Sequence, residues 1–319
     1  MTDPSERLVF ARDLPFADDT RRRHARAAAA GAEVRISRGV YADTLAVAQL
    51  DALTKYLLLV RAVVETRRSR PVVSHWSAAA LHGLPIVGDW PRAVHITQSP
   101  ASGRRSSGNV VRHSIPLHDA DVIEVDGLLV TTVSRTAVDL AASATTLAAV
   151  VAVDAVLHRD RFGRVPPLSS IEELWEVWER RVPFRGHSRC SEVLEFATAQ
   201  ADTPIESVSR VTMRTIGCPP PVLQLAHLDG DGFIAETDFA WPEFGVVGEA
   251  DGDQKYLNAA FRSGKTVEQV VLDEKIREDR LRALPRTVAR WRWSTAMSPR
   301  LLHRALTRAG IPLPRLRSR

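Results

Sequence analysis

The chain has 319 residues, 45% apolar and 25% charged, with a formal charge of +5 and a pI near 9.7 carried mostly by arginine. Length and composition point to a soluble globular protein of two or three domains with a polyanionic partner. Cys190 and Cys218 lack a CxxC spacing, which excludes a zinc ribbon and a disulfide framework, and the first residues lack a signal-peptide pattern, so a reducing cytoplasm is expected.

Asp18, Asp19 and Thr20 offer a helix N-cap before Arg21, Arg22, Arg23 and Arg26, and the alanine run that follows ends at Gly31. Val34–Ile36, the tight Ser37-Arg38-Gly39 and Val40–Tyr41 read as a small hairpin with Arg35 and Arg38 outward. A basic helix followed by a hairpin is the order of a winged helix. The expected DNA-binding set is therefore Arg21, Arg22, Arg23, Arg26, Arg35 and Arg38, acting on phosphates or guanine edges. Pro15 interrupts any helix ahead of it.

Residues 45–67 carry one long amphipathic pattern through Leu50, Leu53, Tyr56, Leu57, Val60, Val63 and Val64. Ser74 caps a second helix that stops at Gly83. Period-two runs then follow around Val94, Val110 and residues 122–130, with a turn at Asp126-Gly127. A long helix is expected from Ser134, with Arg135 and Asp139 four apart and able to pair. The most apolar stretch, 137–157, contains Asp139 and Asp154, which marks a buried helix and not a membrane span. His75, His82, His95 and His113 are expected to be satisfied structural histidines; seven residues along a helix separate His75 from His82 too widely for one ion.

The segments Ser37-Arg38-Gly39-Val40-Tyr41, Ser74 to Pro85 and Val130 to Leu140 resemble the AbiEi-type antitoxins of type IV toxin–antitoxin systems. The resemblance covers roughly residues 8–160. It implies DNA binding by an N-terminal winged helix, promoter autoregulation, and a following domain that counters a toxin protein.

Residues 160–168, rich in Arg, Gly and Pro, read as a boundary, which divides the chain into 1–44, 45–165 and 166–319. Thr203 then caps a helix with Pro204 at its first position and Glu206 at its third. Residues 234–251 read as two strands turning at Pro242 and Gly245. Asp238 lies on the first, and Glu249 and Asp251 share one face of the second. Lys255 follows, one of four lysines in an arginine-rich chain. Carboxylates and an ammonium gathered on one sheet face suit Mg²⁺ beside a scissile phosphate. The alternative is that these are solvated strand-end acids. Residues 267–284 read as a charged helix, and residues 286–293 as a strand whose Arg290 could steer DNA.

The order of these elements resembles the PD-(D/E)xK nuclease fold, more closely its very-short-patch-repair-like branch. The matching segments are Pro204 to Ser207, Thr237 to Pro242, Gly248 to Gly252 with Lys255, and Glu274 to Leu281. It implies Asp238 and Glu249 as metal ligands, Glu206 as a supporting helix acid, and Asp251 or Lys255 orienting the attacking water. The motif expects lysine two residues after the second acid, where this chain has Asp251.

The expected protein is α+β: a winged helix, a mixed antitoxin-like domain, and a restriction-endonuclease-like domain. Its expected work is DNA binding with Mg²⁺-dependent phosphodiester hydrolysis, Mn²⁺ being able to substitute. The alternative is a non-catalytic antitoxin-type repressor with a degenerate nuclease fold. A cognate toxin is the expected protein partner, and no membrane is involved.

Overall fold

A computed structural model describes residues 8–11, 18–99, 106–160, 164–229, 232–251 and 287–316. The chain is mixed α+β and divides into two units: Met1–Ala152 with Leu168–Glu195, and Val153–Pro167 with Phe196–Arg319. No described helix is long and apolar enough to cross a membrane.

The first unit opens with β1 (Val9–Phe10), α1 (Asp18–Ala29), β2 (Glu33–Ser37) and β3 (Val40–Asp43), whose strands pair antiparallel in the order β1-β3-β2. Arg38-Gly39 makes the turn, with Gly39 at φ +75°, a backbone conformation that suits a residue without a Cβ. The middle of α1 is tied to this sheet by His24, 6% exposed, whose Nδ1 meets both Glu33 carboxylate oxygens at 2.8 Å while its ring stacks on Tyr41.

The 45–67 pattern is two helices, not one. Asp43 caps α2 (Thr44–Ala48), and Asp51 caps α3 (Ala52–Glu65) by accepting from the Thr54 N–H, so the second cap restarts the helix. Tyr56, Val60 and Val63 of α3 pack with Val73, Val94, Ile96, Val110 and Val130 in the core. Those residues belong to a five-stranded sheet in the order β6-β5-β4-β8-β7, comprising β4 (Val72–Val73), β5 (Val94–Gln98), β6 (Val110–Ser114), β7 (Val122–Val125) and β8 (Leu128–Thr131). Asp126 and Gly127, both at positive φ, make the tight turn between β7 and β8.

The long helix expected from Ser134 is also two: α5 (Val133–Ser143) and α6 (Thr146–Leu157), with extended backbone at Ala144. Also in this unit are α4 (His75–Leu81) and α7 (Ile171–Arg181), while α8 (His187–Phe196) begins in it.

In the second unit, α9 (Pro204–Thr215) precedes β9 (Val222–Asp229), β10 (Gly232–Trp241) and β11 (Val246–Asp251), a three-strand antiparallel meander. The strand β12 (Thr287–Arg292) then pairs parallel to β11, completing the order β12-β11-β10-β9. The hairpin turn falls at Pro242–Phe244 with Gly245 left-handed, where the two turn residues are expected. Phe239 and Trp291 stack at 5.4 Å above Gly248, and Trp291 donates its indole N–H to Ser209 of α9, which seats the helix on that face. A Cβ on Gly248 would lie 2.6 Å from the Trp291 ring, so the glycine is required by packing.

Candidate functional site

Strand alternation sorts the second unit's sheet. Phe239 and Gly248 are paired and face Trp291, so their neighbours Asp238 and Glu249 point to the other face. The same register, carried one residue on, sets Asp238 across from Glu249. Asp238 Oδ2 accepts the Ala250 N–H at 2.8 Å, which holds its carboxylate over the start of this acidic edge. Glu249 is 6% exposed, and its Oε2 lies 2.9 Å from Arg290 Nη2 on β12. Asp251 continues the same face and stands in register with Arg292. The two acids expected to bind metal thus share one face of neighbouring strands, and Arg290, expected to steer DNA, is engaged with Glu249.

Glu206 reaches the group through electrostatics. It is 2% exposed on the first turn of α9. Its Oε1 accepts from the Thr203 hydroxyl, and its Oε2 from the Asp202 N–H and the Gln224 amide. That is the expected capping role, shifted one residue outward. Burial first, and the Asp238 charge second, push its carboxyl up to about 8. Gln224 lies between Leu223 and Leu225, the partners of Phe239 and Thr237, and so falls opposite Asp238. It holds φ +48°, an uncommon conformation for glutamine. Nothing in its sequence surroundings announced that role.

Among the described residues, no three His, Cys, Asp or Glu side chains are arranged as metal donors. Two adjacent carboxylates nevertheless fit Mg²⁺, which keeps several waters and commonly takes one or two protein carboxylates plus phosphate oxygens. Lys255 and the 267–284 segment lie outside the described residues.

On the first unit, Arg22, Arg23 and Arg26 of α1 are exposed, as are Arg35 on β2 and Arg38 in the following turn. The backbone of Arg21 is helical, and its side chain lies outside the description. Arg26 Nε and Arg35 Nε donate to the nearby backbone carbonyls of Arg22 and Ser37 in long contacts of 3.4 and 3.3 Å. The sheet order and the helix-then-hairpin sequence place these cations on one short continuous segment.

The antitoxin-like region holds a polar interior in which the expected Arg135–Asp139 pair is joined by groups that spacing did not reveal. Arg135, 1% exposed, gives Nε to both oxygens of Asp139 at 3.2 Å and Nη1 to Asp121 at 2.7 Å. Asp121 also accepts from Arg180, and Asp139 lies 2.9 Å from Arg181. His75 lies 4.0 Å from Asp139 and is stacked with His113, which in turn meets His95. His82, by contrast, is satisfied by the Thr131 carbonyl at 2.8 Å, and Ser77 by Tyr56 and the His95 N–H.

Comparison with known proteins adds one functional term. Residues 72–196 match the family model described as the AbiEi antitoxin C-terminal domain. Two curated proteins of Mycobacterium tuberculosis, the uncharacterized protein MT2308 of strain CDC 1551 / Oshkosh and the uncharacterized protein Rv2248 of strain H37Rv, are each 30% identical over 184 residues. The match covers 58% of this chain and 64% of the length of each relative.

Proposed function

We propose that this is a DNA-binding protein of the antitoxin or defence-associated kind, whose second unit is a nuclease-type module for phosphodiester hydrolysis. The antitoxin half rests on the family match over residues 72–196, and a toxin protein is the partner it implies. DNA binding rests on the exposed arginines of α1 and the β2–β3 hairpin, carried on a winged-helix-like order of elements.

One observation carries the nuclease half: Asp238 and Glu249 follow directly on the Phe239–Gly248 pair, on one face of adjacent antiparallel strands, in a sheet whose last strand runs parallel. That order supports the resemblance to PD-(D/E)xK nucleases. Asp238 and Glu249 would hold Mg²⁺ or Mn²⁺, and the bound ion would polarise a phosphoryl oxygen and acidify a water. The chain's own groups do the rest. The Ala250 N–H orients Asp238, and Arg290 supplies a guanidinium beside the pair that can turn to a phosphate oxygen. Glu206, held by three donors, lends support from α9. Lys255 and Asp251 are the candidates for orienting the attacking water.

A second reading has its own support. Arg290 already neutralises Glu249, and Asp251 stands where the motif carries lysine, which suits a module that binds nucleic acid without cutting it. Incubation of the full chain with plasmid and single-stranded DNA, under Mg²⁺ or Mn²⁺, separates the two. Cleavage that disappears in Asp238→Asn and Glu249→Gln is expected; intact substrate under every metal leaves the repressor reading.

A further inference from the structure

Three imidazoles are stacked inside the first unit and belong to neither the arginine set nor the carboxylate pair. His75 and His113 lie face to face, with ring centroids 3.4 Å apart and planes inclined by 11°. His95 adjoins His113 at 5.2 Å, with its Nδ1 3.0 Å from His113 Nε2. A nitrogen–nitrogen contact of that length needs one N–H and one lone pair, so it fails when both rings are protonated. A charge on His113 would also sit directly against the His75 ring.

The surroundings offer such a charge little help. His75 comes from α4, where its Nδ1 also meets the Ser74 hydroxyl at 3.0 Å; His95 and His113 come from β5 and β6. From α5 come Asp139 and Arg135, from α7 Arg180 and Arg181, and from the turn before β7 Asp121. Among the described residues Asp139 is the carboxylate that reaches the rings, and it is already held between Arg135 and Arg181. Three guanidinium groups against two carboxylates leave this network positive before any histidine is protonated. A metal ion is disfavoured on the same grounds, and parallel stacked rings do not converge their lone pairs on one point.

The backbone adds stored strain. His75 opens α4 at φ +51°, a conformation that side-chain-bearing residues rarely hold unless their surroundings impose it. The stack is what occupies its ring, so loss of the stack lets this residue relax.

We propose that His75, His95 and His113 form a proton-released latch: neutral and stacked, they pin the start of α4 to β5 and β6, and acid opens it. The titration properties agree. Burial, then the neighbouring imidazoles, hold His75 well below its ordinary range, and burial followed by His113 lowers His95 to about 4. Burial lowers His113 as well, against the pull of Asp139. Each folded pKa lies below the unfolded value of about 6.5. The stabilisation is therefore complete above that pH and is lost as pH falls from there toward the folded values. This latch belongs to the antitoxin-like domain and stands or falls independently of any nuclease activity.

Hydrogen exchange on the full chain tests it, with rates corrected for the intrinsic effect of pH. Protection of the α4 amides is expected to fall by about tenfold or more between pH 7.5 and 5.5, the share of His95 alone being about tenfold. His113→Phe keeps a ring in the stack and removes its proton, so its loss of protection should be clearly smaller. A loss equal to wild type in that variant overturns the latch. If the variant does not fold, NMR titration of histidine-labelled wild type decides: three rings titrating near 6.5 overturn the proposal, and depressed values support it. Stoichiometric gain of α4 protection on adding Zn²⁺ or Ni²⁺ would also overturn it, in favour of a metal site.

Discussion

Arg290 and Glu249 stand in register on two parallel strands, and their side chains meet at 2.9 Å. A guanidinium therefore lies on one of the two carboxylates proposed to hold a divalent ion. Ion and arginine compete for the same charge, and the outcome depends on which is removed. Arg290→Gln should tighten Mn²⁺ binding by roughly threefold to tenfold, in line with the ~1 kcal/mol strength of a part-exposed pair. Titration calorimetry reads this directly, and an unchanged affinity would place the ion away from Glu249.

The arginine surface makes a separate prediction. Arg22 and Arg38 are exposed, one on α1 and one in the turn after β2. Replacing both with alanine should weaken DNA binding across sequences and reduce the slope of log affinity against log salt by about 2. Fluorescence anisotropy over a salt series measures both, and a slope equal to wild type would remove this surface from DNA contact.

Arg135 is buried and joins Asp121 to Asp139. Arg135→Met would leave two buried acids short of their counter-charge, costing the first unit about 3–5 kcal/mol. Urea unfolding at pH 7 checks the size. A loss under about 1 kcal/mol would mean that Arg180 and Arg181 suffice without it.

Glu206 carries a pH signature with the opposite sign to the histidine stack. Its folded pKa, about 8, lies above the 4.5 of a free glutamate. Its stabilising contribution is therefore complete below about 4.5 and is lost as pH rises through about 8. Glu206→Gln keeps the shape and removes the proton, so the variant should be the more stable of the two at pH 8, by on the order of a few kcal/mol, and similar at pH 5. Melting in EDTA at both pH values tests it; a variant weaker than wild type at pH 8 would show that the fold prefers the ionised carboxylate.

Gly248→Ala would press a methyl group to within 2.6 Å of Trp291 Cη2 and 3.2 Å of Phe239 Cβ. Neither ring can withdraw without disturbing the contact between α9 and the sheet, and a destabilisation of about 1–3 kcal/mol is expected. Calorimetry, followed by tryptophan fluorescence, would locate the loss in the second unit; an unchanged transition would show that Trp291 has room to turn.

Much of this architecture could be read from local chemistry. The Asp238–Glu249 juxtaposition follows from period-two alternation about a Pro–Gly turn, and the helix cap at Thr203–Glu206 from three residues in sequence. The antitoxin-like segment was visible in the Ser74–Pro85 and Val130–Leu140 motifs, and residues 72–196 match the corresponding family model. Helix continuity was less legible. Asp51 and Ala144 interrupt apolar patterns that remain periodic across the break, since burial keeps the spacing alive while a cap or an extended residue ends the hydrogen bonding. The histidine stack was hidden for another reason. Its members lie 20 and 18 residues apart on a helix and two strands, and only the parallel pairing of β5 with β6 brings them together. Spacing separates His75 from His82 too widely for one ion, and their rings do go to different partners.

The parallel pairing of β11 with β12 also governs how the second unit is made on the ribosome. A hairpin partner emerges within a few residues, but β12 begins at Thr287, 36 positions after β11 ends at Asp251. Until it is translated, β11 lacks this parallel partner and Arg290 has not yet been supplied to Glu249. Premature termination anywhere in that interval would yield a chain with a sticky apolar edge and an acidic patch that repels polyphosphates. The sheet of the second unit is thus completed late in synthesis, by a strand that lies far along the chain from its partner.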